Sequence, residues 1–454
     1  MSDKHANSRE SFTSKIGVVL ATAGSAVGLG NIWRFPTEVG QNGGAAFIII
    51  YIACVAFFGL PLMLSEFLVG RHTHANTADA YRLLAPTGQW KRIGQGGVLV
   101  AWIILSYYIV VAGWTLYYTG AAVLNQLTAE QDFSATFSSF VADPWLPILC
   151  MAAFMLLTHA IVVRGVKGGI EKSSKLMMPM LLGIILILVV CSFSMPGTKE
   201  ATRFLFKPDF SAISAGVILS ALGQAFFSLS IAMGCLCTYA SYFGRDVNML
   251  KTAGSVCLID TLVAVTAGFI IFPAVFSVPG VEPDAGPGLV FVTLPYVFQI
   301  AFHSVPAIGY VFSIMFYILL LLAALTSSIG LLEVPTLFVH EHYNISRPNA
   351  ARIVTATCLI LGSLCALSFG PLSDVTLFGK TVFDLFDSVS STIMIPIIGM
   401  LTCVFIGWRL DRSIVRQELT NDGHLPFPLL RPFIIIVKYI APLIIAAIFI
   451  NQLL

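Results

Sequence analysis

Apolar residues run along this chain in long unbroken stretches, separated by short polar connections. A helix crosses a bilayer with about 20 consecutive apolar residues. Such windows fall at 16–38, 44–70, 94–124, 145–163, 174–195, 214–241, 252–279, 305–336, 353–369, 383–408 and 432–453, which predicts eleven spans. The runs are continuous and do not alternate over about ten residues, so helices are expected and not barrel strands. No connection is long enough for an independent soluble domain. The chain is therefore expected to be one all-α membrane domain over 1–454. Residues 1–15 form a tail, 16–195 and 214–408 two five-helix halves, and 432–453 an extra helix. The Pro- and Gly-rich segment 280–304 is apolar enough to pack back on the bundle.

Composition agrees with that reading. Hydrophobic residues make up 57% and charged residues 11%, against about 25% charged in soluble domains. Disorder, collagen and a secreted disulfide scaffold are excluded. The net charge is +2, with no basic tail or stripe, so no nucleic-acid partner is expected. The nine cysteines lie in apolar stretches without metal spacing, and no histidine sits at a useful offset from Cys235 and Cys237. They read as small buried hydrophobes. The eight histidines form no HExxH or cofactor motif, which argues against an enzyme. The first apolar run has no small-residue cleavage site, so no signal peptide is expected.

Charge orients the bundle. Of the 25 Lys and Arg, Arg34 and Lys438 fall within spans, and Lys199, Arg203, Lys207 and Lys380 fall on the side opposite the N-terminus. All others share the N-terminal side. This bias predicts a cytoplasmic N-terminus and, with an odd number of spans, an outside C-terminus. A bacterial inner membrane is the expected location.

Two spans carry unusual punctuation. The first reads Gly24-Ser25-Ala26-Val27-Gly28-Leu29-Gly30-Asn31, with Pro36 beyond it. Each glycine costs about 1 kcal/mol in a helix relative to alanine. Backbone groups freed in lipid must find partners, so a break at this depth belongs where carbonyls face protein, water or an ion. The sixth span sets Phe226-Phe227-Ser228-Leu229-Ser230-Ile231-Ala232-Met233-Gly234 at the same relative depth. The two spans are five apart in order, the spacing of an inverted five-helix repeat whose broken helices meet at the midplane. Close packing through small residues is the plainer account.

Ionisable residues inside spans are costly and mark candidate sites. Asp260 lies deep in span seven and reads as a cation ligand or a helix–helix hydrogen-bonding group. Glu66, near the inner end of span two, reads as a structural acceptor for N–H groups freed by the breaks. Arg34 lies near the outer end of span one. In span eight, Ala323, Thr326 and Ser327 offer neutral oxygens suited to a hard monovalent cation, or simply hydroxyls bonded back to their own helix. Gly169 and Pro179 mark a place where the inner end of span five can unwind.

These strings resemble the neurotransmitter:sodium symporter family, in particular its bacterial eleven-helix, leucine-transporter-like members. The likeness runs through GSAVGLGNIWRFP (24–36), NGGAAF (42–47), Tyr107-Tyr108, the span-six segment 224–242 and LTSSI (325–329). The resemblance implies sodium-driven uptake of amino acids or amines by alternating access, with two sodium sites. The first would take Ala26, Asn31, Ser228 and Asp260; the second Gly24, Val27, Ala323, Thr326 and Ser327. Substrate carboxylate would meet Leu29, Gly30 and Tyr108, and the amino group Ala26, Phe227 and Ser228. The side chain would meet Ile104, Tyr108, Phe227, Ser230, Met233, Ser327 and Leu331. Arg34 with Asp387 would form the outer gate under the aromatic lid Tyr108 and Phe227. Arg9 with Glu341, capped by Tyr242, would form the inner one.

Three departures from the family pattern carry expectations. Asp260 stands where an asparagine is usual; its fixed charge implies no chloride requirement and allows protons to move the opposite way. Ala232-Met233-Gly234 replaces Gly-x-Gly, and the extra methyl, with Ile104, is expected to restrict the substrate to a small or medium neutral amino acid. Phe12 stands where tryptophan is usual near the inner latch. An amine carrier would need an acid where Ser25 and Ala26 stand, and a non-transporting sensor would not need gate residues at both faces. Lithium in place of sodium, stoichiometry and oligomeric state stay open.

Overall fold

The computed structural model describes residues 10–128, 131–278, 288–303 and 305–453. It is helical almost throughout, and its one β feature among these residues is an isolated bridge between Leu377 and Lys380. Eight helices are long and apolar enough to cross a membrane, and two bent helix pairs bring that number to ten. One pair is span one, Lys15–Ala26 with Gly30–Gln41, bent by 58°. The other leads into span four: Phe133–Ala142 meets Leu146–Val162 at 78°. The predicted sixth span is present as two shorter helices, Ala215–Ser228 and Cys235–Ala240. The expected segment beyond span seven forms a further apolar helix, Leu289–Ala301; Leu289, Phe291, Leu294 and Phe298 are buried in the bundle.

Helix starts follow local chemistry. Ser14 caps span one by accepting from the Gly17 N–H at 3.0 Å, and Asn248 caps span seven by accepting from Lys251 N–H at 3.0 Å. Such side-chain oxygens satisfy N–H groups that the first helical turn leaves free. Exposed hydrophobics such as Phe57, Leu156, Leu186, Leu258 and Leu443 stand on the outer faces of spans, where bilayer contact is favourable. The chain is a multi-pass membrane protein.

The broken spans lie side by side with spans two, seven and eight around them. Close approach is built in by glycine: a Cβ at Gly70 of span two would stand 2.0 Å from the Cys237 carbonyl oxygen of span six. At the N-terminal face, Arg71 is wholly buried against the short helix Arg412–Leu419 that joins spans ten and eleven. Its guanidinium donates to Glu418 Oε2 at 2.7 Å, to the Val247 carbonyl at 2.8 Å and to Asn421 Oδ1 at 2.9 Å. Glu418 also meets His72 Nδ1 at 3.0 Å and Arg245 at 2.8 Å.

Candidate functional site

Both breaks are real departures from helix, and side chains meet several of the freed backbone groups. Span one stops at Ala26, and Val27 turns to an extended ψ of 110°. The Gly28 N–H donates to Asn31 Oδ1 at 2.9 Å, and the Leu29 N–H reaches the Tyr108 hydroxyl at 3.4 Å. In span six the break runs from Leu229 to Gly234, with Ser230, Ala232 and Gly234 all left-handed at φ 53°, 65° and 73°. Ala232 N–H donates to Glu66 Oε1 at 2.5 Å, the structural acceptor role read from the sequence. The left-handed conformation is costly for a residue with a Cβ, so Glu66 helps to hold a strained turn.

The breaks face one cavity of about 30 Å³, room for roughly two waters. Every residue assigned above to substrate lines it, from Ala26, Leu29 and Gly30 through Ile104 and Tyr108 to Met233, Ser327 and Leu331. Gly28 and Asn31 complete the wall, and no charged side chain is part of it. The glycines let backbone come close: a Cβ at Gly28 would stand 3.0 Å from Ser327 Oγ, and one at Gly30 3.0 Å from the Phe227 ring.

Behind one wall, Asn31 Nδ2 donates to Asp260 Oδ1 at 2.7 Å and to the Ser228 hydroxyl at 3.0 Å. Ser228 donates to Asp260 Oδ2 at 2.7 Å, and Tyr51 approaches the same oxygen at 3.4 Å. Asp260 is fully buried. On the other side, Thr326 donates to the Ala323 carbonyl at 3.1 Å and reaches the Val27 carbonyl at 3.4 Å. Ser327 reaches the Ser25 carbonyl at 3.4 Å, and Gly24 lies directly against Thr326. Two clusters of oxygens from spans one, six, seven and eight therefore flank the cavity. Among the described residues no group of His, Cys, Asp and Glu is arranged for a transition metal.

At the outer face Arg34 has partners other than Asp387. The Arg34 guanidinium lies 4.4 Å from the Phe227 ring centroid and pairs with Glu38 at 3.9 Å, one helical turn along. Among the described residues it makes no ion pair with Asp387, which ends the short helix Val382–Asp387. A local i,i+4 partner is within reach without moving span ten. At the other face, Tyr242 donates to Glu333 Oε1 at 2.5 Å, and Arg347 grips the second oxygen of Glu333. Glu341 accepts from the Asn76 N–H at 2.8 Å; its expected partner Arg9 lies outside the described residues. Phe12 packs edge-on against Tyr239 and Tyr242, each with ring centroids 6.2 Å apart. Glu333 and Arg347 were missed in the sequence, although an acid inside the apolar span eight is the signal that singled out Asp260.

Ala232 also corrects an expectation. Its methyl does not line the cavity: it stands 3.6 Å from where a Cβ on Gly399 of span ten would be. The left-handed turn points it away, and Met233 alone of the pair faces the site.

The chain matches the sequence pattern of the sodium:neurotransmitter symporter family over residues 9–138 and 137–454. The chain belongs to that family. It is 37% identical over 443 residues to an uncharacterized sodium-dependent transporter of Bacillus subtilis, YhdH, covering 97% of both chains. It is 34% identical over 462 residues to another from Haemophilus influenzae, covering 98% of both. It superposes on the crystal structure of MhsT in complex with L-phenylalanine with a TM-score of 0.89, at 41% identity, covering 98% of this chain and 100% of that one. This symporter is thus a sodium-coupled membrane transporter and not an enzyme.

Proposed function

We propose that the chain carries a neutral L-amino acid together with sodium into the cell by alternating access, without chloride. The observation that carries this reading is the cavity: its wall combines backbone groups and hydroxyls of Tyr108, Ser228, Ser230 and Ser327 with the apolar Ile104, Met233 and Leu331, and is free of charged side chains. A zwitterion with an uncharged side chain suits it. A lone amine would need a facing acid, and Ser25 and Ala26 supply none. MhsT, the structural neighbour, is bound to L-phenylalanine.

In this reading the substrate carboxylate lies against the N–H groups around Leu29 and Gly30, at the positive end of a half-helix, and accepts from Tyr108. Carbonyls of Ala26, Phe227 and Ser228 receive its amino group. Its side chain lies among Ile104, Met233 and Leu331. Because the Ala232 methyl faces Gly399, size is set by Met233, and medium-sized to aromatic side chains are included. One sodium sits among Ala26, Asn31, Ser228 and Asp260, a second among Gly24, Val27, Ala323, Thr326 and Ser327. All are oxygen donors, as a hard cation requires. A buried cation needs a counter-charge. Asp260 supplies a fixed one, and chloride is not required. Binding of sodium and substrate draws span one, span six and span eight together, and that shared stabilisation is the coupling.

The Lys and Arg distribution supports a cytoplasmic N-terminus; in this reading the chain crosses a bacterial inner membrane eleven times and ends outside. Purified protein tests the substrate class. Its thermal stability is measured with each of the twenty amino acids, in sodium and in potassium. A ligand at about 100 times its dissociation constant adds about 2.7 kcal/mol. Stabilisation by neutral amino acids in sodium alone is expected. Stabilisation by amines, or equally in potassium, would overturn the reading.

A further inference from the structure

Cations gather where span ten (Val382–Arg409) ends and span eleven (Leu430–Ile450) begins. Arg409, Arg412 and Arg431 are exposed there. Among the described residues none of them pairs with an acid. Arg409 donates to the Thr87 hydroxyl at 3.3 Å. The neighbouring Asp411 is turned to its own helix, accepting from the Ser413 N–H at 2.8 Å. Glu418, on the buried face of that helix, is taken by Arg71 and Arg245.

A fourth cation lies deeper. Lys438 stands seven residues beyond Arg431, about 10 Å further into the span. Its ammonium lies 4.3 Å from the Trp408 ring centroid and 5.3 Å from that of Tyr439. The Trp408 indole N–H donates to the Lys438 carbonyl at 3.0 Å. Gly407 permits this approach, since a Cβ there would stand 2.7 Å from Lys438 Cα. The rings attract the cation but give its N–H groups no strong acceptor. The bias of positive charge toward one face accounts for arginines at helix ends. It does not account for a lysine inside a span, which is costly without a partner.

The cations border apolar surface. Ile406, Gly407, Val415, Phe433 and Val437 line a crevice together with Arg412. Further along span eleven, Trp408 of span ten and Tyr439 and Leu443 are 62%, 49% and 72% exposed. They face outward, where acyl chains lie.

We propose that this corner binds one anionic phospholipid from the leaflet on the N-terminal side. Its phosphate oxygens accept from Arg412, Arg431 and Lys438, and its chains run along Tyr439 and Leu443. Basic pockets between spans take anionic headgroups in this way. A soluble anion would use the cations and leave the apolar face unused. The bound lipid pins the helix Arg412–Leu419, whose other face carries Glu418 to Arg71.

Lipid titration of the full chain in neutral detergent tests it. Phosphatidylglycerol, phosphatidylcholine of the same chains, and glycerol phosphate are compared. Native mass spectrometry counts the bound molecules, and melting temperature is read alongside. One phosphatidylglycerol is expected to bind more tightly than the rest and to raise the melting temperature, with little effect of the other two. Arg412→Gln and Lys438→Gln are each expected to weaken that binding about fivefold, the scale of one cation beside an anionic headgroup. Arg164→Gln, an exposed cation between spans four and five on the same face, is expected to leave it unchanged. If Lys438→Gln does not fold, Arg412→Gln decides, since that side chain is exposed. Phosphatidylglycerol binding no tighter than phosphatidylcholine overturns the site, as does wild-type affinity in Arg412→Gln. Equal loss in Arg164→Gln reduces it to general surface charge and overturns it. Glycerol phosphate binding as well as the lipid overturns the lipid as occupant.

Discussion

Asn31 in the broken first span donates to both the side chain and the main-chain carbonyl of Asp260 in span seven, at 2.7 and 3.2 Å. One amide thus ties the span-one break to a buried acid, with Ser228 of the span-six break on the same carboxylate. A cation placed there meets a fixed negative charge on one side and the substrate on the other. Asp260→Asn should therefore weaken sodium activation of transport at least about tenfold, about 1.4 kcal/mol, and chloride should restore part of the loss. Sodium titrations of uptake in chloride and in gluconate measure both effects; in the wild type the two curves should coincide.

Glu66 supports the span-six turn by accepting from Ala232 N–H. Glu66→Ala leaves that N–H buried without its acceptor and should cost about 1–3 kcal/mol. Glu66→Gln keeps an acceptor oxygen and should cost less. Thermal unfolding in detergent orders the three proteins. Equal melting temperatures would show that the turn does not depend on this bond.

The Arg71–Glu418 pair has no exposure on either side chain. Removing one partner of such a pair strands the other, so Glu418→Ala should destabilise by about 3–5 kcal/mol. Burial raises the Glu418 carboxyl, but Arg71, His72 and Arg245 outweigh it and hold it below the usual glutamate range. A lowered folded value means stability that is present above the ordinary glutamate value and lost as pH falls through the lowered one. Wild-type melting temperature should drop on that acid limb, and the drop should shrink in Glu418→Gln.

Substrate size should follow Met233 and not Ala232. Met233→Ala opens the cavity and should shift preference toward larger neutral amino acids by about tenfold in relative affinity, about 1.4 kcal/mol. Ala232→Gly removes a methyl packed toward span ten and relieves a left-handed alanine, so it should leave the ranking of substrates unchanged. Competition binding across a series of side-chain sizes separates the two.

The helical bundle and both breaks were legible because each leaves a local mark: long apolar runs, glycines and hydroxyls at mid-span. Ile104, Tyr108 and Leu331 leave none, and were named through the resemblance to the family. Arg71 and Glu418 leave none. They are 347 positions apart, and each alone reads as an ordinary charge near a helix end. The direction of the Ala232 methyl depends on its positive φ, which no propensity of alanine predicts. Arg34 pairs with Glu38, four residues on, a local partner the sequence offers as readily as the distant Asp387.

Uptake into sealed liposomes tests the central claim most directly. The amino acid that most stabilises the protein in sodium is supplied outside, with an inward sodium gradient and with chloride replaced by gluconate. The account predicts accumulation above equilibrium, abolished when the sodium gradient is collapsed and unchanged without chloride. Binding with no gradient-driven accumulation, or accumulation that requires chloride, would contradict it.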